Sequence, residues 1–401
     1  MRLAALLDAA GVEVIRGGDA EITSICTDSR EVRPGSLFFA RRGWFVDANR
    51  FVAAAAKAGA AAIAVTSADA ERDAPGLPVA LSTAEDRDLA RMADVFFEHP
   101  SRRLRVFAVT GTNGKTSVTY LLEHVLRAVG ERPAVIGTVS HRFESEVIVA
   151  RNTTPDGLLV HGLARRFADA GATCLVIEAS SHGLELGRIA GLAVDVVGFT
   201  NLTADHLDFH KNMGAYGAAK ARLFSDVVAA SMEAGKRPVG VAWTDDPFGA
   251  TMLGVLPDGA RATSVGGAGT DVTIRSTSAP GPSGCSFEVK DIRGTFNGTS
   301  TLAGDFNLAN IGVALAMCAA AFPERGEAAT ASLSSFAGIP GRFEAAFAPC
   351  AGLPAVFVDY AHTPDAVVRA LDAARAFTPG ELVAVLGCGG DRDRVKRGPM
   401  A

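Results

Sequence analysis

The segment Val109-Thr110-Gly111-Thr112-Asn113-Gly114-Lys115-Thr116-Ser117 joins a strand-like run, Val106 to Thr110, to a stretch with helical spacing. Glycines at such a junction let backbone N–H groups curl round a phosphate, and the helix N-terminus adds positive potential. Lys115 stands where it would hold terminal phosphates, and Thr116 offers a hydroxyl to Mg²⁺. The general pattern G-x-x-x-x-G-K-[ST] has glycine where this chain has Val109, so only the G-K-T half matches. The competing reading is a glycine turn that caps a helix beside a solvated lysine. The strand and amphipathic helix on either side favour nucleotide phosphate binding.

A carboxylate and an imidazole stand near two further strand ends. Glu178 closes the run Leu175 to Ser180, and His206 lies in Asn201-Leu202-Thr203-Ala204-Asp205-His206-Leu207-Asp208-Phe209-His210. Ligands of an open parallel sheet sit at the carboxyl ends of its strands, so both side chains should converge on the mouth containing Lys115, where they could bind a divalent ion. His206 and His210, four apart, also suggest a zinc helix, but H-E-x-x-H is missing and Asp205 and Asp208 lie alongside. Zinc hydrolysis is therefore not expected, and each histidine taken singly is more often a structural hydrogen-bonder. Lys220, in Tyr216 to Phe224, reads from local sequence as a solvated helix lysine.

These residues need a scaffold. Val118, Leu121, Leu122, Val125, Leu126 and Val129 fall on one helical stripe behind the glycines. Strand-like runs at 175–180, 196–202 and 239–243 alternate with helical stretches, the pattern of a parallel sheet covered on both faces. Ser, Thr and Gly with strand-like alternation from Thr270 to Thr301 predict antiparallel strands on the edge of the same domain, before helix returns at Asn310 to Ala320. The first hundred residues read as a small α/β unit, with a helix over Phe51 to Ala60 and a strand over Ala61 to Thr66. A basic stretch, His99 to Arg105, and a turn-rich one, Gly338 to Glu344, mark boundaries. Beyond the second, strands are expected over Ala355 to His362 and Glu381 to Gly387, with a helix from Asp365. The expected fold class is α/β in three domains, 1–100, 101–337 and 338–401, the last ending where another crossover helix would be expected.

With 48% hydrophobic and 21% charged side chains in 401 residues, the chain can bury large cores, and global disorder is excluded. A net charge of -5 gives no overall attraction to nucleic acid or acidic membranes, so any polyanion must be bound locally. No run is long and apolar enough for a membrane span, and Asp8 interrupts the start too early for a secretory leader, which points to the cytoplasm. Cys26, Cys174, Cys285, Cys318, Cys350 and Cys388 include no C-x-x-C pair and read as buried thiols rather than disulfides or a zinc knuckle.

Together these motifs resemble the Mur ligases, ATP-dependent amide-bond synthetases of peptidoglycan precursor assembly, and among them the branch that adds the third peptide residue. The resemblance spans essentially the whole chain. It rests on Thr27 to Arg30, Pro34 to Phe38, Gly111 to Thr116, Asn152 to Pro155, Glu178 to His182, Asn201 to His210 and Tyr216 to Lys220. Gly304 to Asn310, Gly341 to Glu344, Asp359 to Pro364 and Gly389 to Asp393 complete it. The phosphate loop is common to the family; Asn-Thr-Thr-Pro, Ser-Ser-His and Asp-Tyr-Ala-His-Thr-Pro favour the third-residue branch.

The resemblance implies a small N-terminal α/β domain, a central parallel-sheet ATPase domain with a phosphate loop, and a partial C-terminal Rossmann-like domain. It implies a monomer that phosphorylates the terminal carboxylate of UDP-MurNAc-L-Ala-D-Glu with ATP, after which a diamino acid displaces phosphate. ATP contacts fall to Gly111, Thr112, Asn113, Gly114, Lys115, Thr116 and Ser117, with Asn307, Arg342 and Asp359, the last two reaching in from the third domain on closure. Catalysis is carried by Lys115, Glu178, His206 and Lys220. Lys220 becomes a CO₂-derived carbamate, which overturns the surface-lysine reading. Thr116 would contact one Mg²⁺, while Glu178, His206 and the Lys220 carbamate would hold or orient a second.

By the same resemblance, Thr27, Ser29, Trp44, Phe45 and Val46 take the uridine end of the substrate. Asn152, Thr153, Thr154, Ser180 and Arg188 take the muramoyl-dipeptide end, with Arg188 pairing to an anionic group. From local sequence alone, Asp28-Ser29 is a turn, Thr154 before Pro155 a helix N-cap, and Arg188 a rim charge.

Ala48 and Leu186 depart from residues common in the family, and the Asp-Asn-Pro-Arg motif by which the family recognises the incoming amino acid does not occur up to Ala401. Only Arg392 of that pocket carries over, which leaves meso-diaminopimelate expected over L-lysine. The rival expectations are a fragment that binds ATP and UDP-sugar without turnover, and a ligase with another acceptor, as in folyl-polyglutamate or cyanophycin-forming enzymes.

Overall fold

The computed structural model describes residues 1–43, 46–279, 281–282, 284–347, 353–387 and 397–400, and the chain divides into two compact units. The first comprises Met1–Leu104, Thr154–Gly171 and His182–Leu192. Its sheet holds β1 (Glu13–Arg16), β2 (Ser24–Cys26), β3 (Ser36–Phe39), β4 (Ala62–Val65) and β5 (Val79–Leu81) in the order β1-β5-β4-β3-β2. Every residue of β3 and β4 is buried, as expected of central parallel strands covered on both faces. Leu3, Leu6 and Leu7 of α1 (Leu3–Ala10) and Leu89 and Met92 of α3 (Glu85–Phe96) share one apolar cluster of this unit. Val52 and Ala55 of α2 (Val52–Lys57) belong to a second, with Phe38, Ile63 and Val65. The helix expected over Phe51 to Ala60 is thus shorter: a 3-10 turn, Ala48–Phe51, capped by Asp47, precedes α2.

Helix Gly157–Asp169 packs on α3 at very short range. A Cβ on Gly157 would lie 2.2 Å from Ala90 Cβ, so only glycine permits this approach. Its cap is Asp156, which accepts the Leu159 N–H. Thr154 is therefore not the N-cap that local sequence suggested; the helix starts two residues too late for its hydroxyl to serve.

The second unit comprises Arg105–Thr153, Ala172–Ser181 and Ala193–Ala401. Its sheet contains β6 (Arg105–Thr110), β7 (Pro133–Ile136), β8 (Ser140–Phe143), β9 (Glu146–Val149), β10 (Cys174–Glu178) and β11 (Val196–Phe199). It continues with β12 (Val239–Trp243), β13 (Arg261–Gly266), β14 (Val272–Ser276), β15 (Cys285–Asp291) and β16 (Gly294–Ser300). The order is β16-β15-β14-β13-β12-β11-β6-β10-β7-β8-β9. From β14 to β7 all pairings are parallel, while β15–β16 and β8–β9 form antiparallel rims, the first where the Ser/Thr/Gly-rich sequence predicted them. Because β10 and β11 flank β6 on opposite sides, the connections after β6 part company there and leave a crevice at its carboxyl end.

Helix α4 (Lys115–Ala128) lays the predicted stripe against this sheet, and Val118, Leu121, Leu122, Val125 and Leu126 are fully buried. Leu122→Ala is expected to cost about 2–5 kcal/mol through lost transfer energy and a residual cavity, measured by urea unfolding.

Two expected strands fail beyond residue 338. Of Ala355 to His362 only Phe357–Val358 pairs, with Glu344–Ala345. Glu381 to Gly387 joins no ladder among the described residues, and Val383 and Val385 are 73% and 94% exposed. An apolar alternating run identifies a segment fit for a sheet, but a strand also needs a neighbouring edge to satisfy its backbone. The helix expected from Asp365 forms as Pro364–Ala376, capped by Thr363.

Candidate functional site

The turn after β6 is held open by two glycines. Gly111 and Gly114 have φ of 147° and 87°, and a Cβ on either would strike Thr200 Oγ1 or Asn310 Oδ1. The segment after β11 laces the turn in place: Thr112 N–H donates to Asn201 O (2.8 Å), Asn113 N–H to Asn201 Oδ1 (2.9 Å), and Thr200 Oγ1 to Asn113 O (2.6 Å). Lys115 Nζ folds back on the Gly111 and Thr112 carbonyls at 2.8 and 2.9 Å. Burial lowers its pKa, while Glu178 and Asp205 oppose that shift.

Glu178, only 1% exposed at the end of β10, accepts Thr116 Oγ1 (3.0 Å), Thr138 Oγ1 (2.8 Å) and Thr138 N–H (2.9 Å). Thr116 also receives Arg342 Nη2 at 3.4 Å, and the Arg342 guanidinium lies 4.8 Å from the Tyr360 ring centre. Asp359 accepts the Phe343 N–H, and burial raises its carboxyl pKa.

These groups line one cavity of about 580 Å³, within the usual range for small-ligand sites. Thr112, Asn113, Gly114, Lys115, Thr116 and Ser117 form one wall; Asn152, Thr153, Glu178, His206, Arg342 and Asp359 also face it. Asn307 stands behind the surface, 2% exposed, donating to Ala303 O, and its Oδ1 orients Asn310, which does line the cavity.

The two histidines diverge. His206 caps a short helix with φ of 53° and faces the cavity, its Nε2 3.3 Å from Asp205 Oδ2. Burial lowers its pKa, and Asp205 works against that. His210 Nε2 instead meets Ser181 Oγ at 3.0 Å inside the fold, and no cluster of three or more His, Cys, Asp or Glu fit for a metal occurs among the described residues. Nothing here supports the zinc helix.

Lys220 is the clearest departure from local sequence. It is 1% exposed, donates to Gly111 O at 2.8 Å and lies 4.3 Å over the Tyr216 ring. Burial and the nearby Lys115 hold its pKa well below the ordinary lysine value. The solvated-lysine reading is wrong because helix Met213–Ala221 turns this face under the glycine turn at residues 111–114.

Sequence reasoning passed over Asp205, Thr138, Asn310 and Tyr216, whose hydroxyl donates to Thr112 Oγ1 at 3.1 Å. Asp205, Tyr216 and Asn310 lay within motifs already singled out; Thr138 carried no local signal.

In the other unit, Thr27 follows the carboxyl end of β2, and Ser29 begins a 3-10 turn capped by Asp28, as the turn reading has it. Val46 is exposed and its carbonyl accepts the Gly43 N–H. Arg188 is no rim charge: its side chain is 16% exposed, with Nη1 donating to Thr154 O at 3.1 Å and Nε 3.6 Å from Asp86 Oδ1. Thr154 is itself buried. Ser180 follows β10, half-buried, in the unit that holds the cavity. Trp44, Phe45 and Arg392 lie outside the described residues.

Comparison with known proteins gives a consistent result. Families described as Mur ligase middle domain, Mur ligase, glutamate ligase domain, and Mur ligase family, catalytic domain, match residues 109–318, 341–401 and 21–95. The chain is similar to the UDP-N-acetylmuramoyl-L-alanyl-D-glutamate--2,6-diaminopimelate ligase of Synechococcus elongatus, 40% identical over 384 residues, covering 94% of this chain and 75% of that one. The Bacillus licheniformis protein of the same name is 38% identical, covering 96% and 76%. A solved structure of a ligase with that name superposes with a TM-score of 0.75 at 30% identity, over 94% of this chain and 75% of that one.

Proposed function

The chain belongs to the Mur ligase family, and from that premise we propose that it is an ATP-dependent acid–amino-acid ligase adding a diamino acid to UDP-MurNAc-L-Ala-D-Glu in peptidoglycan precursor synthesis. The proposed diamino acid is meso-diaminopimelate. The observation that carries the reading is the convergence of the Lys115 loop, Glu178 and the Asp205-His206 corner on one cavity at the carboxyl end of β6. We place domain boundaries near 100 and 338, and the reaction in the cytoplasm on a monomer.

A carboxylate does not accept an amine at neutral pH, so ATP must supply a leaving group. The turn from Gly111 to Ser117 would cradle the phosphates. Lys115, released from its carbonyls, would meet charge on the transferring phosphoryl group, with Arg342 beside Thr116 as a second cation. Asn310, backed by Asn307, and Asp359 would complete the nucleotide site.

Thr116 and Glu178 form an all-oxygen donor pair that fits Mg²⁺, which takes few protein ligands and shares phosphate oxygens. Such an ion neutralises phosphate charge; His206 would stand by as a further ligand or orienting group. A buried amine whose pKa burial pushes well down, with no carboxylate within ion-pair distance among the described residues, fits Lys220 as the carbamate-forming lysine. Addition of its amine to CO₂ would release one proton and leave an anionic oxygen donor in place of a neutral nitrogen. The acid substrate would meet Asn152, Thr153 and Ser180 at the dipeptide end with Thr154 and Arg188, and Thr27, Ser29 and the 44–46 loop at uridine; Arg392 would serve the incoming amino acid.

ADP release measured with ATP, UDP-MurNAc-L-Ala-D-Glu and meso-diaminopimelate should require all three. Nucleotide binding without coupled turnover would contradict the ligase reading, and preference for L-lysine would correct the acceptor. Glu178→Gln should lower turnover about a hundredfold with nucleotide affinity largely kept, read by steady-state kinetics beside calorimetry.

A further inference from the structure

Asp86, Ala90 and Asp94 recur every fourth residue of α3 and share one face. That face moulds the segment carrying Arg188. Gly187 and Gly191, with φ of 74° and 83°, bracket it so closely that a Cβ on each would lie 2.8 Å from Arg87 Cβ and 2.7 Å from Asp94 Cβ. Between them, Arg188 Nε faces Asp86 Oδ1 at 3.6 Å, and the same oxygen takes Arg41 Nη2 at 3.0 Å. The Ala190 carbonyl accepts from Nε2 of His161, a fully buried ring on helix Gly157–Asp169.

A carbonyl only accepts, so Nε2 of His161 carries the proton. Asp94 lies beside the ring: its Oδ2 meets His99 Nδ1 at 2.7 Å, and its Oδ1 lies 3.4 Å from His161 Nδ1 without a hydrogen bond, an ionic contact only when the ring is doubly protonated. Burial favours the neutral imidazole, while Asp94 opposes it. The segment is thus paired at its guanidinium with one carboxylate and held at its backbone by the His161 N–H. Neither His161 nor Asp86 lines the cavity, yet both place buried polar groups against this one short turn.

We propose that Asp86 and His161 are positioning residues that fix Arg188 where it receives the anionic end of the acid substrate. This rests on the assignment of Arg188 to that substrate.

The test is calorimetric affinity for UDP-MurNAc-L-Ala-D-Glu, with a non-hydrolysable ATP analogue as control. Arg188→Ala should weaken binding of the acid substrate at least about tenfold. His161→Leu should weaken it about fivefold, the scale of one neutral hydrogen bond, and His161→Gln, whose amide can still donate, should stay within about twofold of wild type. Asp86→Asn, nearly isosteric, should weaken it about three- to tenfold. In the Arg188→Ala background His161→Leu should change nothing further, a coupling that loss of general stability would not produce. Unchanged affinity in His161→Leu, beside a loss in Arg188→Ala, overturns the inference alone. Unchanged affinity in Arg188→Ala overturns the assignment beneath it as well. Equal loss of ATP-analogue affinity also overturns it. Should His161→Leu fail to fold, Asp86→Asn decides: weaker binding supports the inference, and unchanged binding overturns it.

Discussion

Lys115→Ala is expected to reduce ADP formation about a hundred- to a thousandfold, while the protein folds and still binds the nucleotide-sugar. The Nζ donates to the Gly111 and Thr112 carbonyls, which holds it within the curl of the turn. Its lowered pKa reflects burial opposed by Glu178 and Asp205; arrival of phosphate adds further negative charge and favours the cation. Removing the ammonium would leave charge on the transferring group to be met by Arg342, whose Nη2 reaches Thr116 Oγ1. Loss of one such electrostatic donor generally costs two to three orders of magnitude in turnover, roughly 2.7–4 kcal/mol of barrier. Single-turnover kinetics with labelled ATP would check it. Near-normal ADP production would remove the loop from phosphoryl transfer.

Lys220→Ala is expected to cost about a hundredfold or more in turnover, with partial recovery on adding acetate or formate, which restore an anionic oxygen near the vacated amine. Lys220→Arg should not recover, since a guanidinium can neither lose its charge nor add to CO₂. The pH dependence follows from the direction of the shift. Because the folded-state pKa is depressed, the amine is uncharged above that value and becomes an ammonium as pH falls through it. Only the uncharged form adds to CO₂, so activity of the wild type should fall on the acid side, and CO₂-free buffer should lower it reversibly with restoration by bicarbonate. Full activity in Lys220→Ala without any added carboxylate would sink this reading.

The helix stripe from Val118 to Val129, the glycine turn before it and the strand-by-strand alternation were legible in the sequence because each is a local rule. Apolar spacing of 3.6 marks a buried helix face, and glycines before a lysine mark backbone exposed to a ligand. The convergence of Glu178 and His206 was legible one step further, since the ends of parallel strands collect at one edge. Both line one cavity with Lys115.

Other features had no local signature. Residues 381–387 have the apolar alternation of a strand, yet pairing depends on an edge supplied from elsewhere, and no such pairing forms among the described residues. Arg188 looked like a surface charge, but it is enclosed by Asp86, a hundred positions earlier in chain order, and by the carbonyl of Thr154.

What the residues determined by themselves was the inventory: an α/β chain, a glycine turn before a lysine, and acids and imidazoles spaced for strand ends. What only the tertiary structure decided was burial and company. Lys220 and His161 have ordinary local contexts, and their character changes because distant segments strip water from them and leave one carbonyl each to bond. Free energies of ionisation depend on the dielectric and the charges within a few ångströms, and those neighbours are chosen by packing across the fold rather than by adjacency along the chain.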